Sequence, residues 1–331
     1  MPENRFPIVP VGLVAIGRNE GERLRKCLES VVGRVGKVVY VDSGSTDSSV
    51  EMARSLGVVV VELDMTRPFT AARARNEGFG CLHNVAPGLA YVQFVDGDCE
   101  VVPGWLEKAA LFLDQRNDVA VVCGRRRERF PDRSLYNMLC DMEWDTPVGD
   151  AKYCGGDAMM RVAVLEGAGG YREDLIAGEE PELCVRLRSA GWKIWRLGEE
   201  MTLHDAAMAR IGQWWKRNKR AGYAYAQGAH LHGGPPERHG VKQSRSAWIW
   251  GLGIPAFTIG LSIWLGVWGL AILLIYPLQI VRLALRGTRS ARENWWRAFF
   301  LVLGKFPEVV GQVNFLYNRL FRKTAHLIEY K

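Results

Sequence analysis

Two aspartates separated by a single glycine, Asp96 and Asp98, directly follow the apolar run Tyr91–Val95. Carboxylate oxygens are the ligands that hard cations such as Mg²⁺ and Mn²⁺ prefer in proteins. The intervening glycine permits a tight backbone between the two side chains. Acidic residues also follow strands as ordinary turn residues. The pair alone therefore favours a Mn²⁺ or Mg²⁺ site without requiring one.

Other polar side chains stand at the ends of neighbouring predicted strands or in the helices that follow them. Asn19 and Glu20 come after the first apolar run, Asp42 comes after the second, and Arg73 and Arg75 lie in a later helix. Taken singly, the asparagine and the aspartate are common turn or cap residues. The two arginines alone can form a solvated helix face. Their succession in one chain favours a common binding site.

A further group of candidates lies later in the chain. Glu179 and Glu180 open a predicted helix that runs towards Ala190, and His204 follows some twenty residues on. Acidic side chains are stabilised at a helix N-terminus by the helix dipole, so a structural role is the alternative to a catalytic one. A single histidine is either a metal ligand or a structural residue. All three residues are retained as site candidates.

The elements that position these residues follow from a regular alternation of short apolar runs and helical stretches. Because β-branched runs separated by helices are typical of α/β proteins, the pattern predicts a mostly parallel, Rossmann-like sheet. The predicted strands are Val11–Ile16, Val38–Val41, Val58–Val61, Tyr91–Val95 and Val119–Val122, and the predicted helices are Glu20–Val32, Asp47–Leu56, Ala71–Leu82 and Gly104–Gln115, with Thr46 capping the second helix. Ligands of such sheets bind beyond the carboxyl ends of the strands.

In this order the motifs resemble those of the glycosyltransferase family 2 enzymes: strand–Asn-Glu, strand–Asp-x-Gly-Ser-x-Asp, Ala-Arg-Asn-x-Gly and strand–Asp-x-Asp. The resemblance covers residues 11–204 and implies a GT-A nucleotide-diphospho-sugar transferase fold over residues 1–204. It further implies a nucleotide-binding half at residues 1–100 and an acceptor-side half at residues 101–204.

The same resemblance implies roles on the donor side. Asn19 would belong to the donor-binding site, and Glu20 and Asp42 would contact the base and its ribose. Arg75 would face the diphosphate, and Asp96 would lie near the ribose or the sugar. Many relatives have two adjacent acids where this chain has Asp42 followed by a serine. The identity of the base is therefore left open.

For the chemistry, the resemblance implies that Asp98 is the principal ligand of Mn²⁺ or Mg²⁺, with Asp96 and His204 near the same ion. Glu180 stands where most members have the aspartate that acts as general base, and Glu179 precedes it. The implied reaction is inverting transfer of a sugar from a UDP- or GDP-sugar to a hydroxyl of a lipid-linked or cell-surface glycan. The alternatives are a polyprenyl-phosphate acceptor and a membrane-bound protein that binds nucleotide sugar without turnover.

The last third of the chain has a different character. Residues 205–246 form a predicted basic juxtamembrane helical segment, and residues 247–285 contain a long uncharged run. This run is too long for one upright helix across a hydrocarbon core of roughly 30 Å, which predicts a transmembrane hairpin or, alternatively, one tilted or kinked crossing. The mixture of apolar and basic side chains in residues 286–331 predicts interfacial amphipathic helices. Helices packed on the soluble domain are the alternative.

Three residues of the juxtamembrane segment are candidates for binding. Trp214, Arg217 and Arg220 are suited to contacts with the diphosphate, with the acceptor or with lipid phosphates. A positively charged patch beside the membrane, without a ligand, is the alternative reading.

The composition and the charge of the chain limit the classes of function that it can have. The 331 residues are 48% apolar and 24% charged, which predicts a folded protein, and the net charge of +7 arises after residue 204. Because the basic excess flanks a Trp-rich apolar run, the expected partner is membrane lipid and not nucleic acid.

The N-terminus and the cysteines indicate where the protein is located in the cell. Residues 1–7 lack a signal-peptide pattern, so the catalytic domain is expected on the cytoplasmic face of the inner membrane. The seven cysteines show no pairing or metal-ligand spacing and are expected to be free thiols. The oligomeric state is left open.

Overall fold

The computed structural model describes residues 9–323, and the chain divides into two compact units, Met1–Ala207 and Met208–Lys331. Residues 1–7, which lack a signal-peptide pattern, lie outside the described residues. So do residues 324–331 of the predicted interfacial region.

The first unit is a nine-stranded sheet flanked by helices. Its strands are β1 Val9–Gly17, β2 Val35–Asp42, β3 Val59–Glu62, β4 Tyr91–Asp96, β5 Cys99–Val101, β6 Val119–Glu128, β7 Gly149–Ala151, β8 Ala158–Arg161 and β9 Lys193–His204. Its helices are α1 Glu22–Glu29, α2 Ser49–Ser55, α3 Ala71–Val85, α4 Trp105–Gln115, α5 Leu135–Trp144, α6 Val162–Gly167 and α7 Glu179–Ser189. The strand order is β3-β2-β1-β4-β8-β6-β9-β5, and β7 pairs with β9.

The five predicted strands and four predicted helices are all confirmed, with small differences at their ends. Strands β1 to β4 pair in parallel as predicted. The other half of the sheet is mixed, because β8 runs antiparallel to both β4 and β6, while β6 and β9 are parallel. Strand β8 has the sequence Ala-Met-Met-Arg, which lacks the β-branched residues that identify a strand.

Helix α3 is held closely against the parallel strands. A Cβ on Gly78 would lie 2.5 Å from Val14 Cγ1, so only glycine allows this approach. The helix begins at an N-cap, Thr70, whose hydroxyl accepts a hydrogen bond from Arg73 N. The close packing at Gly78 and the cap at Thr70 therefore determine where helix α3 lies on the sheet and where it begins.

The predicted cap of helix α2 is wrong. The N-cap of this helix is Ser48, and its side chain makes no capping hydrogen bond. Thr46 lies earlier in the loop and its N–H donates to Asn19 Oδ1 at 2.7 Å. Thr46 does not cap the helix because the loop after β2 binds the loop after β1 and not the helix that follows.

The second unit is helical. Its helices are α8 Ile211–His232, α9 Val241–Trp248, α10 Ile254–Leu265, α11 Ile275–Leu285, α12 Ala291–Leu303 and α13 Lys305–Leu320, with a π-helical turn at Ile249–Gly253 and a 3₁₀ segment at Gly266–Leu274. Helices α8 and α13 cross closely, since a Cβ on Gly222 would lie 2.0 Å from the Glu308 carbonyl oxygen. Two stretches, Val241–Leu285 and Ala291–Leu320, are apolar enough to cross a membrane by length and composition.

Candidate active site

The Asp96–Asp98 turn lies where strands β1 and β4 end side by side. Gly97 N donates to the Ile16 carbonyl oxygen at 2.7 Å, and a Cβ at Gly97 would lie only 3.1 Å from that oxygen. The glycine therefore lets the turn pack against the end of β1. Because β1, β2 and β4 are parallel neighbours, their carboxyl ends share one edge of the sheet.

Two predicted donor-side residues shape the loops at this edge. Asn19 has a φ of 54°, its Oδ1 accepts from Thr46 N at 2.7 Å, and its own N–H donates to Ser45 Oγ at 2.8 Å. The Asp42 carboxylate accepts from Gly44 N at 3.0 Å and Ser45 N at 2.8 Å. Both residues therefore act as turn-forming residues, and their contact with a nucleotide stays a prediction.

A charged network connects Asp96 to the interior. One Asp96 oxygen lies 2.9 Å from Arg75 Nη2 and the other lies 3.1 Å from Arg126 Nη2. Arg75 also pairs with Glu179 at 2.7 Å, and Arg126 pairs with Asp157 at 2.6 Å. Arg75 is 3% exposed and Asp157 is fully buried, so Arg75 is not part of a solvated helix face. Within this network both Asp96 oxygens are bound by guanidinium groups.

The network keeps both arginines charged. Burial by itself lowers the pKa of Arg75, but the nearby carboxylates of Asp96 and Glu179 outweigh it and hold that pKa above its ordinary value. The pKa of Arg126 is likewise raised against the effect of burial, chiefly by Asp157. The site edge therefore holds two charged guanidinium groups behind Asp96, and they are balanced by the carboxylates of Asp96, Glu179 and Asp157.

Asp98 has a different partner. Its Oδ2 lies 3.2 Å from His204 Nε2, and the other ring nitrogen of His204 lies 3.7 Å from Glu128 Oε2. The His204 ring is in edge contact with Trp144, with ring centroids 4.7 Å apart. Asp98 and His204 are almost completely buried. An oxygen and a nitrogen that face each other in this way, with a carboxylate behind the imidazole, suit a divalent cation.

The pairing of Asp98 with His204 is set by strand register. Strands β5 and β9 are antiparallel, and Cys99 stands opposite His204. Strands β6 and β9 are parallel, and Glu128 stands opposite the same histidine. Of the predicted metal ligands, the structure thus brings Asp98 and His204 together, while Asp96 faces the two arginines.

A cleft lined by basic and acidic side chains opens beside Asp98. Its lining includes Arg23, Lys26 and Arg129, together with Glu100, Phe130 and Asp205. Glu20, a predicted donor-side residue, forms an ion pair with Arg23 at 2.7 Å. Arg129 pairs with Glu100, so the basic side chains of this cleft are partly balanced by acidic ones. Basic side chains beside a buried carboxylate can still contact the oxygens of a phosphate.

Glu180 lies under the loop that precedes β8. Its Oε1 accepts hydrogen bonds from Cys154 N at 2.6 Å, from the Cys154 thiol at 2.9 Å and from the Cys184 thiol at 3.0 Å. Burial raises the pKa of Glu180, and these donors only partly offset that effect. Burial also raises the pKa of Cys184 to about 11, so the thiol is a neutral donor. All seven cysteines are free thiols, as predicted.

Sequence reasoning missed several residues of this site. Arg126 belongs to a run of three arginines that continues the buried strand β6, and Asp157 follows two glycines at the start of β8. A charged residue beside a buried strand end is the signal that could have identified each. Arg23 and Lys26 lie one helical turn apart on α1, just after Asn19 and Glu20, and this proximity was their only signal.

The juxtamembrane candidates belong to the second unit. Trp214 is buried, and its ring contacts the Phe300 ring with centroids 4.8 Å apart. Arg217 and Arg220 lie on the same helix, α8, and are partly exposed. Trp214 therefore contributes to the core of its own unit, and ligand contacts by all three residues stay predictions.

Comparison with known proteins defines the class. Residues 14–161 match the family profile described as Glycosyl transferase family 2. The mannosyltransferase PcManGT from Pyrobaculum calidifontis, solved in complex with GDP-Man and Mn²⁺, superposes with a TM-score of 0.59 at 17% identity, covering 96% of this chain and 91% of that one. At this identity the similarity shows the fold alone, which is that of a GT-A glycosyltransferase.

Two curated proteins are also similar in sequence. Glycosyltransferase AglE of Haloferax volcanii is 24% identical over 222 residues, which cover 63% of this chain and 70% of that protein. The uncharacterized glycosyltransferase YibD of Escherichia coli is 33% identical over 108 residues, which cover 31% of this chain and 30% of YibD. The protein is a glycosyltransferase, and its residues 14–161 are similar to the family 2 enzymes. The predicted fold class and enzyme class are confirmed.

Proposed function

We propose that this enzyme transfers a sugar from a nucleoside diphosphate donor to a hydroxyl acceptor at the cytoplasmic face of the inner membrane, with inversion at the anomeric carbon. The observation that carries the proposal is the position of Asp98. It is buried, lies 3.2 Å from His204 Nε2, and borders a cleft that contains Arg23, Lys26 and Arg129. A diphosphate would meet a cation site there, with basic side chains beside it.

Asp98 and His204 would hold Mn²⁺ or Mg²⁺. The fit is supported by an oxygen donor and a nitrogen donor that face each other, and by Glu128 behind the imidazole. Two protein ligands suffice where substrate phosphates and water complete the shell. PcManGT, which has the same fold, was crystallised with Mn²⁺ and GDP-Man. When bound, the cation would neutralise charge on the leaving nucleoside diphosphate.

Asp96 has a separate role in this proposal. Arg75 and Arg126 hold both of its oxygens, so it fixes the two guanidinium groups beside the donor. Its remaining accessible surface would then contact the donor ribose or sugar. This division of roles between the two aspartates assigns the cation to Asp98.

Glu180 is proposed as the general base. The acceptor oxygen attacks the anomeric carbon, the bond from that carbon to the diphosphate oxygen breaks, and the acceptor proton passes to Glu180. A raised pKa suits a base that must hold a proton transiently near neutral pH. Glu179 is paired with Arg75 at 2.7 Å and would position the start of helix α7. A lipid-linked or glycan acceptor is supported by the two apolar stretches of the second unit.

The test is donor turnover by the purified full-length protein. A panel of UDP- and GDP-sugars is incubated with Mn²⁺, and release of nucleoside diphosphate is measured with and without a membrane lipid extract. Release from one donor, increased by the extract, is expected. Release should be lost in Asp98→Asn and retained in Asp132→Asn, which changes an exposed aspartate of the same unit. Binding of a nucleotide sugar without any release would refute the proposal.

A further inference from the structure

The uncharged run folds back on itself within the second unit. Tyr276 Oη donates to the Trp250 carbonyl oxygen at 2.5 Å, and their rings lie 5.9 Å apart. The reversal occurs at Gly266, which has a φ of 58°. Beyond it, a Cβ on Gly269 would lie 2.5 Å from Ser262 N, so the two legs are in contact near the turn. We call Trp250–Tyr276 the apolar hairpin.

The helices continue beyond both ends of the apolar hairpin, but at its base they pack on α13, since a Cβ on Gly251 would lie 2.3 Å from the Lys305 carbonyl oxygen. The legs that extend beyond this contact are shorter than a bilayer is thick. At about 1.5 Å per residue, the helical leg from Trp250 to Gly266 reaches about 24 Å. The return leg is a 3₁₀ segment of 9 residues, Gly266–Leu274, which spans about 18 Å at roughly 2.0 Å per residue. A hydrocarbon core measures roughly 30 Å. Each leg passes the middle of such a core and ends before its far side.

The surface of the hairpin is suited to lipid. Trp264 is 87% exposed, Ile263 is 79% exposed and Trp268 is 78% exposed. Large apolar side chains at such exposure, concentrated at one turn, are not typical of a water-facing surface. The return leg is helical from Gly266 onwards, so no loop of irregular backbone between the two legs is exposed to the lipid.

The basic residues that flank the hairpin indicate that both of its ends lie at the same face of the membrane. Basic residues precede and follow it along the chain, and no acidic residue occurs from Arg238 to Arg292. The flanking basic residues are Lys242, Arg245, Arg282, Arg286, Arg289 and Arg292. Because Tyr276 contacts Trp250, the two basic flanks are brought to the same side. This arrangement complements the anionic headgroups of a single leaflet.

We propose that the apolar hairpin inserts into an anionic bilayer from one side as a re-entrant segment. Its base at Trp250 and Tyr276 lies at the headgroups, and its turn at Gly266 ends inside the hydrocarbon without reaching the opposite surface. The second unit then holds the membrane without a complete crossing in this segment. The inference does not depend on the identity of the sugar or the acceptor.

The test compares a cysteine at the turn with one beyond the base, among the flanking basic residues. Full-length Val267→Cys and Thr288→Cys, both at exposed positions, are reconstituted into phosphatidylcholine vesicles containing phosphatidylglycerol. A membrane-impermeant maleimide is supplied outside or encapsulated inside, and the labelling of the unsubstituted protein is subtracted. Thr288→Cys should be labelled from the face that carries the second unit. Val267→Cys should be labelled from neither face and fully after detergent is added.

Two outcomes would overturn the proposal. Labelling of Val267→Cys from the face opposite to Thr288→Cys would show a complete crossing. Labelling of both from the same face would show that the hairpin stays outside the bilayer. A third variant, Ile263→Cys on the outward leg, repeats the measurement if the first turn variant does not fold, and it is expected to give the same protected pattern.

Discussion

Replacing Asp157 with alanine is expected to destabilise the first unit strongly. The Asp157 side chain is fully buried and accepts hydrogen bonds from Asp96 N at 3.0 Å, from Thr202 Oγ1 at 2.7 Å and from Arg126 Nε at 3.0 Å. Its removal leaves the Arg126 guanidinium in the interior with Asp96 as its remaining carboxylate partner. It also leaves a buried backbone N–H and a buried hydroxyl without their acceptor.

The size of the effect follows from these contacts. Removing one partner of a buried ion pair costs about 3–5 kcal/mol. Because Asp96 still accepts from Arg126 at 3.1 Å, we expect the lower end of that range, about 3 kcal/mol. For a unit of this size each kcal/mol lowers the melting temperature by roughly 2–4 °C. The expected decrease in melting temperature is therefore about 6–12 °C.

Thermal denaturation of the full chain in detergent, at neutral pH, measures this change. The matched control is Asp150→Ala, an exposed aspartate of strand β7, which should change stability by less than about 0.5 kcal/mol. A double-mutant cycle with Thr202→Val separates the hydroxyl contact from the ion pair. A melting temperature of Asp157→Ala within about 2 °C of the unsubstituted protein would refute the assignment of a buried, charged network.

Three other outcomes are expected. Glu180→Gln should lower turnover by about 100-fold or more with little effect on donor affinity. Relative to the unsubstituted protein it should also raise the melting temperature, by an amount that grows as the pH rises through the folded pKa of Glu180, because a carboxyl whose folded pKa is raised loses its stabilising contribution there. A loss of both activity and stability would contradict the base assignment. His204→Ala should raise the Mn²⁺ concentration for half-maximal product release at least about tenfold, and an unchanged requirement would remove His204 from the cation site. Gly222→Ala should destabilise the second unit by about 1–3 kcal/mol, since its Cβ would lie 2.0 Å from the Glu308 carbonyl oxygen. Gly212→Ala on the same helix meets nothing within 4 Å and should not lower the melting temperature, because alanine favours the helix over glycine.

The parallel half of the sheet could be read from the sequence because its strands are buried on both faces. Val11–Ile16 and Tyr91–Val95 are continuous apolar runs, and such runs identify interior strands without knowledge of their neighbours. Strand β8 gave no such signal, because two methionines fit a helix as well as a strand. Its antiparallel position between β4 and β6 follows from pairing, which no local pattern encodes.

The site was predicted in part for the same reason. Polar residues that follow buried strands, such as Asp42 and Asp98, could be proposed as site candidates because the ends of parallel strands share one edge of the sheet. The partners of Arg75 were not found, because Asp96 and Glu179 are distant in sequence and meet it only when helices α3 and α7 pack on the sheet. Spacing along the chain carries no information about such distances.

The pair of aspartates shows the division most clearly. The sequence by itself determined that Asp96 and Asp98 stand together at the end of a buried strand, because strand periodicity and the glycine between them are local properties. Only the tertiary structure decided that the two aspartates have different partners. The neighbouring elements place Arg75 and Arg126 against Asp96, whereas the β5–β9 register places His204 against Asp98. Each carboxylate's chemistry is set by the charge packed against it, and that depends on strand pairing and helix packing between distant segments.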